Sequence, residues 1–181
     1  MSDSMAYVPH NHLRCIEKAL DHARLVCRIK KVRFTPLREL VLELVWQSHK
    51  PVGAYALMES LRGRYEGKVA PPTVYRALDF LQEQELVHRL ATLNAYIGCS
   101  CITQKGHHPS FFICSECQNA MEVDTPRISQ AIRETAGVNG FSAEGNAVEV
   151  MGICNPCRKL NRRPAQGELS NQWPSSGMAA P

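Results

Sequence analysis

"APPTVYRALDFLQEQELVHRL", residues 70–90, decides how the first half of this chain folds. Pro71 and Pro72 stop any preceding helix, and Thr73 is positioned to cap a new one. Val74, Ala77, Leu78 and Leu81 then recur at helical spacing and form an inward face. Tyr75, Arg76 and Asp79 are left pointing away from the core. Leu86 to Leu90 reads as a short strand and Ala95 to Gly98 as a second, with Leu93 and Asn94 in the turn between them.

Upstream, Leu13, Ile16, Leu20, Ala23 and Cys27 fall at steps of three or four and predict an amphipathic helix over residues 10–29. Cys15 and Cys27 belong to it and, lacking partners at ligand spacing, read as small apolar residues. "RFTPLRELVLELV", residues 33–45, predicts a second helix, with Thr35 as N-cap, Pro36 at the first helical position and an apolar face of Leu37, Leu40, Val41, Leu44 and Val45. A third helix is predicted from Gly53 to Leu61. Three helices followed by a β-hairpin is the order of a winged helix, whose last helix enters the major groove of DNA. Arg76 suits that role through a bidentate hydrogen bond to guanine, and the Tyr75 ring through contact with sugar or the thymine methyl. The plainer alternative is that Arg76 only pairs with Asp79 on a solvated face, an arrangement worth little.

Charge divides in the same way. The net +4 of the 181 residues lies wholly in the first half: residues 1–90 carry 14 Lys and Arg against 10 Asp and Glu, and residues 91–181 carry 7 against 7. A basic half beside a neutral, cysteine-rich half suggests that the first meets a polyanion. No apolar leader opens the chain, and no stretch approaches the roughly 18 to 20 apolar residues that cross a bilayer. The expectation is therefore a soluble, unexported, cytoplasmic protein with no membrane partner and no small organic substrate. In a reducing compartment its eight cysteines favour metal over disulfides.

From residue 111 the pattern changes to a small α/β lobe. Phe111 to Cys114, Ala120 to Val123 and "AVEVMGIC" at 147–154 read as strands, and Thr125-Pro126 caps a helix that carries Ile128 and Ile132. Cys114/Cys117 and Cys154/Cys157 form two Cys-x-x-Cys knuckles, and four thiolates match the closed tetrahedral preference of structural zinc. That leaves His88 on the wing, Cys99 after the hairpin, His107 before the Phe111 strand and Glu122 on the next strand as a second, mixed ligand set bridging the two lobes. No spacing rule assembles these four, and His108 and Cys101 compete for the same role. Past Arg158 periodicity fails, and the Pro-, Gly- and Ser-rich remainder reads as a disordered tail.

A zinc enzyme is the rival class, since an incompletely ligated zinc with bound water is catalytic. The chain holds no His-Glu-x-x-His, no His-x-Glu beside a Pro-Cys-x-x-Cys, and no phosphate loop, because Gly63 to Lys68 misses that spacing by one residue. "HNH" at 10–12 lies at a helix start without supporting ligands. A zinc-stapled interaction module that never touches DNA is the third class.

The motifs "PPTVYRALDFL" (71–81), "VHRL" (87–90), "NAYIGC" (94–99), "HHPSFFICSEC" (107–117) and "GICNPC" (152–157) together resemble the ferric uptake regulator family of bacterial metal-responsive repressors, most closely its zinc uptake regulator branch. The resemblance spans about residues 10–158. It implies an α+β protein: an N-terminal winged helix-turn-helix domain and a small C-terminal α/β dimerisation domain with a four-cysteine zinc site. The expected boundaries are an arm at 1–9, the DNA-binding domain at 10–91, a hinge at 92–106, the dimerisation and metal domain at 107–160 and the tail at 161–181. It further implies two Zn²⁺ per subunit, one structural on Cys114, Cys117, Cys154 and Cys157 and one regulatory on His88, Cys99, His107 and Glu122. Tyr55, Thr73, Tyr75 and Arg76 are the expected DNA contacts, and the expected partners are a palindromic double-stranded operator and a second copy of the chain. Iron, manganese or peroxide sensing within the same family is the alternative. The segment "SCITQKG" between Cys99 and His107 holds an additional thiol, Cys101.

Overall fold

The computed structural model describes residues 5–7, 11–67, 69–100, 109–123, 125–143 and 147–160. Four helices lead: α1 (His12–Ile29), α2 (Pro36–Val45), α3 (Ala54–Arg62) and α4 (Pro71–Glu83). A hairpin of β1 (Val87–Leu90) and β2 (Ala95–Gly98) follows, then β3 (Ser110–Cys114), β4 (Ala120–Val123), α5 (Pro126–Val138), β5 (Val148–Gly152) and α6 (Asn155–Leu160). A single 3-10 turn at Met5–Tyr7 precedes them.

The helical lobe is built around one apolar core. Val41, Leu42 and Val45 of α2, Leu57 and Leu61 of α3, and Val74, Leu78 and Leu81 of α4 are almost wholly withdrawn from water, with Ala23 and Cys27 of α1 beneath them. Thr35 caps α2 by accepting from the Arg38 amide. The Arg38 guanidinium in turn stacks 3.5 Å over the Phe80 ring and ties α2 to α4. Glu85, in the left-handed region at φ 59°, turns the chain from α4 into β1. Gly98 ends β2 directly under the Trp46 indole, where a Cβ would stand 2.2 Å from Cε2, so glycine alone allows this approach.

In the second lobe β3 is central, antiparallel to β4 and parallel to β5, with α5 in the crossover. The two lobes are not merely strung together. Leu90 and Ile97 of the wing pack with Phe111, Ile113 and Ala120 of the small lobe in a second apolar cluster, each no more than 5 % exposed. Two carboxylates cross the same seam: Glu122 reaches the base of the wing and Glu149 its turn.

Several expectations need correction. Pro71 and Pro72 open α4 at its first two positions and Ala70 is the N-cap, so Thr73 lies inside the first turn and does not cap it. Thr125 stands at the N-cap of α5 without a capping side-chain hydrogen bond. Leu13 is 66 % exposed, because the core side of α1 begins only at Ala19. Residues 92–98 are wing turn and strand paired with β1, not hinge. Ile128 and Ile132 are only half-buried and lie on an open face of α5. The α6 helix was not expected at all. Residues 101–108, most of the expected hinge, and the tail at 161–181 lie outside the described residues.

Candidate metal centres and nucleic-acid interface

Four thiols converge at one end of the small lobe. Cys114 ends β3, a tight turn with Gln118 at φ 62° brings Cys117 back beside it, Cys154 leads into α6, and Cys157 lies on that helix. The turn is closed by the Cys114 and Gln118 amides, which donate to the Asn119 and Cys114 carbonyls at 2.9 Å. Ser115 donates to the Gly152 carbonyl at 2.8 Å and so ties one knuckle to the other. All four sulfur atoms lie within 4.8 Å of one another, with Cys117 and Cys154 at 3.9 Å.

Burial would raise the Cys114 thiol, but backbone amides of Cys154, Cys117 and Glu116 aimed at its sulfur outweigh that and bring it down to about 6. The neighbouring Cys154 thiol, with burial and the remaining sulfurs behind it, pushes Cys157 up to about 12. Four thiols this close cannot all ionise against one another, and a divalent cation supplies the charge that lets them. The donor set and its spacing fit a closed, structural zinc. Tyr7 reaches over this end of the lobe, where its hydroxyl donates to the Phe112 carbonyl. Burial and the Cys154, Cys114 and Cys117 charges push its phenol up to about 12.

The second cluster lies at the seam between the lobes. His88 Nε2 stands 3.0 Å from Glu122 Oε1, and the Glu122 side chain is only 2 % exposed. Cys99 Sγ is 3.9 Å from the same oxygen. Glu122 Oε2 accepts from the Ser100 amide at 2.6 Å and from the Ser100 hydroxyl at 2.9 Å. Burial acts to raise the Glu122 carboxyl, but the hydrogen bond and charge of His88 and the two Ser100 donors outweigh it and hold the group at about 2. The site therefore offers an imidazole, a thiol and an ionised carboxylate, their ligand atoms mutually within 4.8 Å. The His88 ring meets Phe111 edge-on at 5.3 Å, which fixes its plane.

Of the expected regulatory quartet, His88, Cys99 and Glu122 are brought together, while His107, with its competitors His108 and Cys101, lies outside the described residues. Ser100 was missed by sequence reasoning. Only its place beside Cys99 pointed to it, and serine is too common after a ligand for adjacency to single it out.

In the helical lobe, Tyr55 in the first turn of α3 is 69 % exposed and Tyr75 on α4 is 39 % exposed. Arg76, next to Tyr75 on α4, is exposed and Thr73 is half-buried. Among the described residues Arg76 makes no ion pair with Asp79, so the plain solvated-pair reading has no contact behind it. Arg62 pairs with Glu59 at 2.6 Å on the same surface of α3.

The chain also resembles known proteins in sequence and in overall fold. A profile of the ferric uptake regulator family matches residues 30–151. The zinc uptake regulation protein of Escherichia coli strain K12 is 35 % identical over 152 residues, covering 83 % of this chain and 88 % of that one. The ferric uptake regulation protein of Campylobacter upsaliensis is 28 % identical over 141 residues, 76 % of this chain and 88 % of its own. Among solved structures, a zinc uptake regulator complexed with zinc and DNA superimposes with a TM-score of 0.74 at 34 % identity, over 80 % of this chain and 96 % of that one. A second, holo XcZur, gives 0.71 at 34 % identity over 78 % and 98 %.

Proposed function

The chain belongs to the ferric uptake regulator family, and from that premise we propose that it is a zinc-responsive transcriptional repressor acting as a homodimer on palindromic operators of zinc-uptake genes. The observation that carries this reading is the 3.0 Å approach of His88, on the wing, to Glu122, on the small lobe, with Cys99 beside them. A cation held there belongs to both lobes at once. His107 is the proposed fourth ligand, and Cys114, Cys117, Cys154 and Cys157 hold a second zinc that closes the small lobe. Two zinc ions per subunit follow.

Zinc at the mixed centre acts through differential affinity. It favours the arrangement in which wing and small lobe are locked, and so fixes the separation of the two recognition helices in the dimer. A hundred-fold preference for that arrangement corresponds to about 2.7 kcal/mol of coupling. Linkage is reciprocal, so operator DNA tightens zinc by the same factor. Arg76 reads a base edge from α4, with Thr73, Tyr75 and Tyr55 placing the two helices on the groove. Dimerisation is supported by the open, partly apolar face of α5 and by β5, whose Val150 and Met151 are 41 % and 47 % exposed at the sheet edge.

The thiolate of Cys99 favours zinc over Fe(II) or Mn(II), for which an oxygen and nitrogen set suits better. Four protein ligands leave no position for a reacting water, so the reading is of a regulator and not of an enzyme. No helix among the described residues is long and apolar enough to cross a membrane, and the proposed place of action is the cytoplasm. Operator affinity measured against free zinc at fixed salt, with metal counted per subunit, tests the whole reading. Affinity that does not move with zinc ends it, and equal response to Fe(II) or Mn(II) reassigns the metal.

A further inference from the structure

The register of the small sheet places two carboxylates on either side of one buried ring. Phe111 on β3 pairs with Glu122 on β4 and with Glu149 on β5, so the three side chains form one row on the face that meets the wing. Glu122 serves the mixed centre at the base of the hairpin. Glu149 serves the other end: its Oε1 accepts from the Ala91 amide at 2.7 Å and its Oε2 from the Thr92 amide at 3.0 Å. Both amides belong to the turn between β1 and β2, which Asn94 at φ 47° and its contact with Arg89 close at 2.9 Å. Burial acts to raise the Glu149 carboxyl, but the Thr92 and Ala91 donors hold it below the usual carboxylate range. Neither amide has a strand partner in the hairpin ladder, so the carboxylate supplies bonds the turn cannot make for itself.

We propose that Glu149 is a positioning residue for the mixed metal centre: by clamping the wing turn to β5 without any metal, it presets His88 and Cys99 against Glu122. This rests on the mixed centre being a zinc site. The clamp acts through the short, stiff hairpin, since His88 lies three residues before Ala91 on β1 and Cys99 follows directly on β2. With the clamp in place, zinc meets an assembled site; without it, zinc must also restrain the wing. Hydrogen bonds to a charged acceptor are strong enough for this to reach about tenfold in zinc affinity.

The test is a competition titration of the full chain, its four-cysteine site filled, against a fluorescent zinc chelator in the absence of DNA. Wild type, Glu149→Ala and Glu149→Gln are compared. The expected result is about tenfold weaker binding of the second zinc in Glu149→Ala and an intermediate loss in Glu149→Gln, which keeps one acceptor. Both variants should retain the four-cysteine zinc and the wild-type circular dichroism, with faster amide exchange at Ala91 and Thr92. Unchanged zinc affinity overturns the proposal, and so does loss of the four-cysteine zinc or of the fold in both variants, which would make Glu149 simply structural. If affinity falls as expected but wild-type operator binding ignores zinc, the clamp stands and the DNA-sensing reading falls. Zinc-dependent operator binding with equal zinc affinity in all three proteins overturns the clamp alone.

Discussion

The two candidate metal centres differ in how far apart their side chains are in the fold. The four cysteines all belong to the small lobe, on segments held together by the β3–β5 pairing and by backbone bonds between the knuckles. The mixed centre draws His88 and Cys99 from the wing and Glu122 from the small lobe, and exists only while the two are docked. On the proposed function, a cation in the first would hold a lobe together. One in the second would report whether two lobes are engaged, and only that arrangement would have a second state to choose.

Cys114→Ala is the harshest way to press this contrast. Structural zinc sites contribute on the order of 10 kcal/mol to small domains, as much as many domains possess in total. The expected outcome is loss of the structural zinc and of cooperative unfolding of the small lobe, read by metal content and thermal melting. Leu90→Ala comes next. Leu90 is fully buried in the seam, and truncation there should cost about 2 to 5 kcal/mol. Zinc at the mixed centre should weaken markedly while the four-cysteine zinc is retained, as metal analysis after chelator challenge will report.

Cys99→Ala should leave a folded dimer with one zinc and remove about a hundred-fold of zinc-dependent operator affinity, about 2.7 kcal/mol. Should it unfold as Cys114→Ala does, both metals are structural and the contrast is lost. Arg76→Ala should change neither metal. It should cost about 1 to 3 kcal/mol in operator binding and relax preference at one base position, read by binding to a panel of substituted operators.

What could be read from the sequence follows the same divide between near and far. Helices α1 to α4, the hairpin and the knuckles were legible because caps, helical spacing and Cys-x-x-Cys repeats are written within a few residues. Thr73 misled because a proline pair can close one helix or open the next, and here Pro71 and Pro72 open α4. Ile128 and Ile132 have the periodicity of a core face, yet among the described residues nothing covers that face within one subunit. The mixed centre was not legible from spacing, since His88 and Glu122 are neighbours only through the docking of the wing on β3 and β4. Glu149 was invisible for the same reason: a carboxylate that accepts backbone amides from 57 and 58 residues away leaves no local signature.

The apolar seam of Leu90, Ile97, Phe111, Ile113 and Ala120 sets the character of the response. Interlocked side chains of this kind have two stable outcomes, mated or parted, with nothing comfortable in between. On the proposed function, each subunit should therefore answer rising zinc with a click rather than a gradual swing, and gradation across a population should count how many subunits have clicked.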